Sequence, residues 1–139
     1  MVLTVACGDP CTTPEEEEIL ARAAAEQGAV RTESGLVFRQ LKSGDGPRPA
    51  LDNRVQVHYE GRLVDGTVFD SSYKRGRPST FKLTDVTAGW TEGLLLMNGG
   101  GKAKLTIPAR LAYGSKGKKK TIPPCTTLVF EIELLGIYD

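Results

Sequence analysis

Alternation of apolar and polar side chains in steps of two is the feature that most restricts the fold of this chain. Val55, Val57 and Tyr59 alternate with Arg54, Gln56, His58 and Glu60, and Ala103, Leu105 and Ile107 alternate with Lys102, Lys104 and Thr106. Leu128, Phe130, Ile132 and Leu134 do the same with Val129, Glu131 and Glu133. Successive side chains of a strand point to opposite faces, so each segment reads as a half-buried strand with one apolar face. Leu36–Leu41 reads as another strand, closed by Gly44-Asp45-Gly46-Pro47. Leu63-Val64 and Thr67-Val68-Phe69 flank Asp65-Gly66, a dipeptide that favours a two-residue hairpin turn. Among these strands only Trp90–Met97 has helical spacing, with Trp90, Leu94 and Met97 on one stripe. Antiparallel strands with one short helix over a single apolar face make an α+β domain. Ser115–Lys120 reads as a polar loop, and no internal repeat is visible.

A helix of different character precedes the strands. Thr13 can cap it, Pro14 suits its first position, and Glu16 completes a capping box three residues after Thr13. Glu15, Glu16 and Glu17 favour the positive end of its dipole, Ile19, Leu20, Ala23 and Ala24 form a stripe, and Gly28 is a natural stop. The expected helix is Pro14–Gln27. At that length it is marginal alone, so it must pack on its own domain or on a second chain. The sequence leaves both open. Before it, Val2–Ala6 lacks a basic flank and is short for a signal core, reading as a disordered terminus or as the tail of a processed segment ending at Cys7. No apolar run approaches the roughly 18 residues of a membrane helix. The three cysteines (Cys7, Cys11, Cys125) are odd in number and too few for a disulfide scaffold. A cytoplasmic protein is expected, with a secretory route as the alternative if the N-terminus is processed.

The formal net charge of +1 is a cancellation. Residues 1–34 carry two basic and seven acidic side chains, whereas residues 35–139 carry sixteen basic and ten acidic. Conventional catalysis finds little support in either part. His58 is the one histidine and falls on a polar face, so neither a Ser-His-Asp triad nor a zinc site can be assembled around it. Gly99-Gly100-Gly101-Lys102 follows a helix instead of preceding one, and Ala103 stands where a phosphate loop needs Ser or Thr. Lys116, Lys118, Lys119 and Lys120 have only Tyr113 as a nearby aromatic, which suits a solvated loop tip better than a nucleic-acid patch. Such a loop still attracts acidic partners. No metal and no cofactor is expected.

The decisive pattern is aromatic and verbatim. Val57-His58-Tyr59-Glu60-Gly61 and Asp65-Gly66-Thr67-Val68-Phe69-Asp70-Ser71-Ser72 are followed by Gly89-Trp90-Thr91-Glu92-Gly93-Leu94 and Leu111-Ala112-Tyr113-Gly114. Ile122-Pro123-Pro124 and Thr127-Leu128-Val129-Phe130 complete the series. In that order the blocks resemble the FKBP family of peptidyl-prolyl cis-trans isomerases, over about residues 34–139. Ser34-Gly35-Leu36 after a helix is similar to the macrophage infectivity potentiator branch.

The resemblance implies a half-wrapped antiparallel sheet around one short helix, preceded here by an extra helix. It divides the chain into residues 1–33, a tail and acidic helix, and residues 34–139, the isomerase domain. It places Trp90 at the floor of a pocket, with Tyr59, Phe69, Phe81, Val86, Ile122 and Phe130 as walls. Asp70 and Tyr113 become polar rim groups, Arg75 a support for Asp70, and Thr87 the donor of a backbone N–H to a ligand carbonyl. The implied catalytic set is Tyr59, Asp70, Trp90, Tyr113 and Phe130. The implied partners are proline-containing polypeptides and macrolides such as tacrolimus and rapamycin. The alternative is a proline-peptide binding module or chaperone with incidental isomerase activity. Four departures stand out: Ser79 where an aromatic wall is frequent, Thr87 and Thr121 in place of aliphatic residues, and the cationic loop Lys118–Lys120. They imply retained catalysis with altered ligand affinity. A helix much shorter than that branch's stalk implies a monomer.

Overall fold

The computed structural model describes residues 9–139, so the readings placed on Val2–Ala6 and Cys7 lie outside it. Its elements run α1 (Pro14–Ala24), β1 (Ala29–Arg31), β2 (Val37–Lys42), β3 (Arg54–Leu63), β4 (Val68–Ser71), α2 (Ser72–Arg75) and β5 (Ser79–Lys82). A 3₁₀ turn at Leu83–Asp85 leads into α3 (Ala88–Leu95), and β6 (Lys102–Ile107), a 3₁₀ turn at Ala109–Leu111 and β7 (Leu128–Tyr138) follow. All strand pairs are antiparallel, in the order β1-β2-β6-β7-β3-β4, and β5 also pairs with β3. β4 and β5 share one edge of β3, one along Glu60–Arg62 and the other along Arg54–Val57. This is the expected α+β sheet.

The alternation decides which face is buried. Val55, Val57, Leu105, Ile107, Ile132 and Leu134 are all fully buried, together with Leu94 of α3. α3 can approach the sheet closely because Gly89 and Gly93 face Ile107 and Leu105. A Cβ at residue 93 would lie 2.5 Å from Leu105 Cδ1. The Asp65-Gly66 hairpin forms as expected: Gly66 adopts φ +96°, and Asp65 Oδ1 accepts from the Thr67 N–H at 2.9 Å.

Three features differ from expectation. β1 and β5 are short strands of three and four residues that the alternation rule cannot register. α1 ends at Ala24 and not at Gln27, with Gly28 (φ +82°) turning the chain into β1. Cys11 and Cys125, 114 residues apart, form a disulfide. The odd cysteine count argued against a disulfide scaffold, but a single staple needs only one pair, and the fold rather than the spacing brings it together. Such bonds persist in oxidising surroundings.

α1 packs on its own domain. Leu20 and Ala23 pack on Val37 of β2, with Ala24 and Ala29 beside them. Thr13 caps the helix through the Glu16 N–H at 3.1 Å. The Glu16 side chain does not complete the capping box. Instead it is buried, and its Oε2 accepts from the Ala109 N–H at 2.8 Å and the Thr127 hydroxyl at 2.9 Å. A longer-range pair of donors has displaced the local one. Leu20→Ala should therefore lower the unfolding free energy of the whole domain by about 2–4 kcal/mol. Trp90, the one tryptophan, reports this in denaturant titrations followed by fluorescence. An unmoved midpoint would make α1 a detached appendage.

Candidate functional site

Six elements converge on one cavity of about 440 Å³. β3 contributes Tyr59, β4 contributes Phe69 and Asp70, and β5 contributes Phe81. Asp85, Val86 and Thr87 lead into α3, which places Trp90 in its first turn, and Phe130 enters from β7. Tyr113 and Lys118 close the rim from the segment between β6 and β7.

Trp90 is 5% exposed and forms the floor. The rings of Tyr59, Phe81 and Phe130 stand nearly perpendicular to it or edge-on, with centroids at 5.1, 5.5 and 5.2 Å. Phe69 stands edge-on to Phe130 at 5.5 Å. Edge-to-face contact sets the positive ring edge against the negative face, which fixes the orientation of each ring. Gly61 makes room for this wall. A Cβ there would come within 2.6 Å of Phe130 Cε1 and 2.7 Å of Phe69 Cζ.

The polar rim is a closed network. The Tyr59 hydroxyl donates to Asp70 Oδ2 at 2.6 Å, and Arg75 Nη1 donates to Asp70 Oδ1 at 2.6 Å. Arg75 Nη2 also donates to the Tyr59 and Ser79 hydroxyls, each at 3.0 Å. Arg75 is delivered by α2, a single turn capped by the Ser71 hydroxyl on the Lys74 N–H and terminated by Gly76 at φ +78°. Burial pushes the Asp70 carboxyl up, but the hydrogen bonds from Tyr59 and Arg75 outweigh it and leave its pKa below the ordinary value. Burial, and then the bond to Asp70, raise the Tyr59 phenol above its ordinary value. The rim thus holds an ionised carboxylate against a neutral phenol.

Most expected residues meet here: Tyr59, Phe69, Asp70, Phe81, Val86, Thr87, Trp90, Tyr113 and Phe130 all line the cavity. Two do not. Arg75 stands behind Asp70, in the supporting place expected of it. Ile122 is buried and lines a neighbouring groove with Lys116, Lys118, Lys119 and Lys120, not the aromatic cavity. Lys118, joined to Ile122 by backbone hydrogen bonds, lines the cavity's rim. Asp85 and Lys118 are lining residues that were not expected. Only the cationic loop containing Lys118 had drawn notice, and nothing local marked Asp85. Ser79 does not leave the wall open, because Phe81, two residues along β5, covers the floor while Ser79 braces Arg75. His58 lies outside the cavity, with Nδ1 2.8 Å from the Ser72 hydroxyl and its ring stacked on Tyr73. Among the described residues no group of three His, Cys, Asp or Glu side chains could hold a metal ion. The cavity is suited to seat a small apolar ring on aromatic faces while fixed polar groups meet the backbone around it.

A family model for the FKBP-type peptidyl-prolyl cis-trans isomerase matches residues 46–135. The chain is 52% identical over 123 residues to the FKBP-type 22 kDa peptidyl-prolyl cis-trans isomerase of Escherichia coli, covering 88% of this chain and 60% of that protein. It is 50% identical over 121 residues to the macrophage infectivity potentiator of Trypanosoma cruzi, covering 86% and 62%. The crystal structure of FkpA from Escherichia coli superposes with a TM-score of 0.86 at 44% identity, over 89% of this chain and 58% of that one. The chain spans about three-fifths of the length of these two relatives and less than half of several others. With the matched segment running from the loop before β3 into β7, and so through nearly every wall of the cavity, this chain belongs to the FKBP-type peptidyl-prolyl cis-trans isomerase family.

Proposed function

We propose that the protein is a peptidyl-prolyl cis-trans isomerase that seats the proline ring of an X-Pro segment on Trp90 and lets the bond rotate without covalent chemistry. The observation that carries this reading is the buried aromatic floor, Trp90, ringed by Tyr59, Phe81 and Phe130. Rotation is slow because amide resonance must be broken, at a barrier near 18–20 kcal/mol. The twisted amide is less charge-separated than the planar one. An apolar cavity therefore favours the twisted form relative to water, while rim groups hold the flanking backbone. A reduction of about 7 kcal/mol corresponds to roughly 10⁵-fold at 1.36 kcal/mol per decade. Such a reaction needs neither nucleophile nor metal. The same cavity suits the pipecolyl-type ring of tacrolimus or rapamycin.

Trp90→Ala removes the floor and Asp70→Ala the carboxylate that fixes Tyr59. Each should lower kcat/KM on a proline peptide by on the order of 10²-fold in a protease-coupled assay, with the far-ultraviolet spectrum unchanged. Tacrolimus should compete with the peptide in the same assay. Rates equal to wild type in both variants would refute the isomerase reading.

Asp70 also sets a pH dependence. Its pKa is lower in the folded protein than in the unfolded chain. The stabilisation from its charged form is thus complete above the ordinary carboxylate value and disappears as pH falls through the lowered one. Activity should be level from about pH 5 to 8 and decline only below the ordinary carboxylate range near 3.9. A decline beginning near neutrality would exclude Asp70 as its source.

Lys118 belongs both to the aromatic cavity and to the lysine-lined groove beside it. Substrates with acidic residues flanking the proline are favoured on this ground. At low salt, kcat/KM should be higher for a glutamate-flanked peptide than for a lysine-flanked one, and the ratio should approach one near 0.5–1 M salt, where the screening length falls to only about 3–4 Å. A ratio independent of salt would remove the loop from substrate choice.

A further inference from the structure

Tyr113 is carried by a tight turn, and that turn is held at both ends from outside the matched family segment. At its start, the Ala109 carbonyl accepts from the Ala112 N–H at 2.9 Å and the Gly114 N–H at 2.8 Å, so Ala109 closes the loop around Tyr113. The Ala109 N–H is bound in turn by Glu16 Oε2, which also takes the Thr127 hydroxyl. At the other end, the Gly114 carbonyl accepts from the Cys125 N–H at 2.9 Å. Cys125 is linked covalently to Cys11, itself 2% exposed. The acidic helix and the residues before it thus grip the turn on either side of the rim tyrosine.

We propose that Glu16 and the Cys11–Cys125 disulfide are positioning groups for Tyr113, so that the N-terminal segment sets the geometry of the isomerase rim. Glu16 touches no part of the cavity. Its effect runs through Ala109, whose buried N–H would otherwise lose its acceptor, a loss that the turn relieves by shifting. One oxygen of Glu16 takes both hydrogen bonds, which makes an amide with its oxygen in that place an adequate substitute. The disulfide acts on the same turn from its other end, and its removal frees residue 125 from Cys11, which precedes α1, without changing any lining side chain. The inference rests on the reading of Tyr113 as a rim group that meets the substrate.

The test is a double-mutant cycle on kcat/KM, run well below the unfolding range. Glu16→Ala should lower kcat/KM roughly three- to tenfold, Glu16→Gln should restore most of it, and Glu16→Ala should have little further effect once Tyr113→Ala is present. Equal losses from Glu16→Ala in both backgrounds, or no loss while Tyr113→Ala is impaired, would overturn the positioning role. Full activity in Tyr113→Ala would instead remove the rim reading, and the positioning role with it. If Glu16→Ala does not fold, the wild-type protein supplies the second arm. Dithiothreitol reduces Cys11–Cys125 to two thiols as it closes to its own cyclic disulfide. Faster hydrogen exchange at the Gly114 and Cys125 amides, β3 amides unchanged, together with a lower kcat/KM, supports the proposal. Unchanged exchange at those two amides counts against it.

Discussion

The long antiparallel pairing of β3 with β7 is the constraint on which the rest of the structure depends. Its register sets Tyr59 opposite Ile132 and Gly61 opposite Phe130. A slip of one residue would turn Tyr59 and Phe130 to solvent and bring Glu60 and Glu131 into the core. The same pairing puts Gly61, which has no side chain, against the two rings that need the space. β4 and β5 then attach along the free edge of β3 and bring Phe69, Asp70 and Phe81 to the same side. The cavity is therefore a consequence of strand register before it is a consequence of any loop.

Placing a charge beside that aromatic wall would ordinarily be unfavourable. The structure meets the difficulty locally. Asp70 keeps about a third of its side chain exposed and receives hydrogen bonds from both Tyr59 and Arg75. Arg75 also lies 5.6 Å from the Tyr59 ring centroid, so its charge rests partly on an aromatic face. Among the described residues no buried side-chain polar atom lacks a partner. Fixed polarity at the rim and an aromatic floor coexist because the carboxylate is tethered at the cavity's edge by Tyr59 and Arg75.

Strands with a clean period of two, the hairpin at Asp65-Gly66 and the aromatic blocks could all be read from the sequence, since each is a local pattern. β5 could not, because four residues running straight into a 3₁₀ turn carry too little alternation, although Phe81 was expected as a wall. The block around Ile122 marks the correct loop, but which residue of a loop faces the cavity depends on how the turn closes. Glu16 is the instructive case. Locally it is the fourth residue of a capping box, and that reading put α1 in the right place. Its actual partners, Ala109 and Thr127, lie 93 and 111 residues away. The disulfide was hidden in the same manner, since no spacing rule links positions so far apart.

The division of charge along the chain takes on a structural meaning once α1 is seen to dock. Glu17 binds Arg31 at 2.7 and 2.8 Å, and Glu26 meets Lys104 at 3.1 Å and Arg39 at 3.5 Å. The acidic N-terminal part thus sits on the basic strands β1, β2 and β6, and the cancellation in the total is also a cancellation in space. These pairs are only partly buried, and such pairs contribute little to stability, so the docking of α1 rests mainly on Leu20, Ala23, Glu16 and the disulfide. Their effect is felt elsewhere. By neutralising the back of the sheet they leave the lysines of residues 116–120 as a concentration of positive charge beside the cavity.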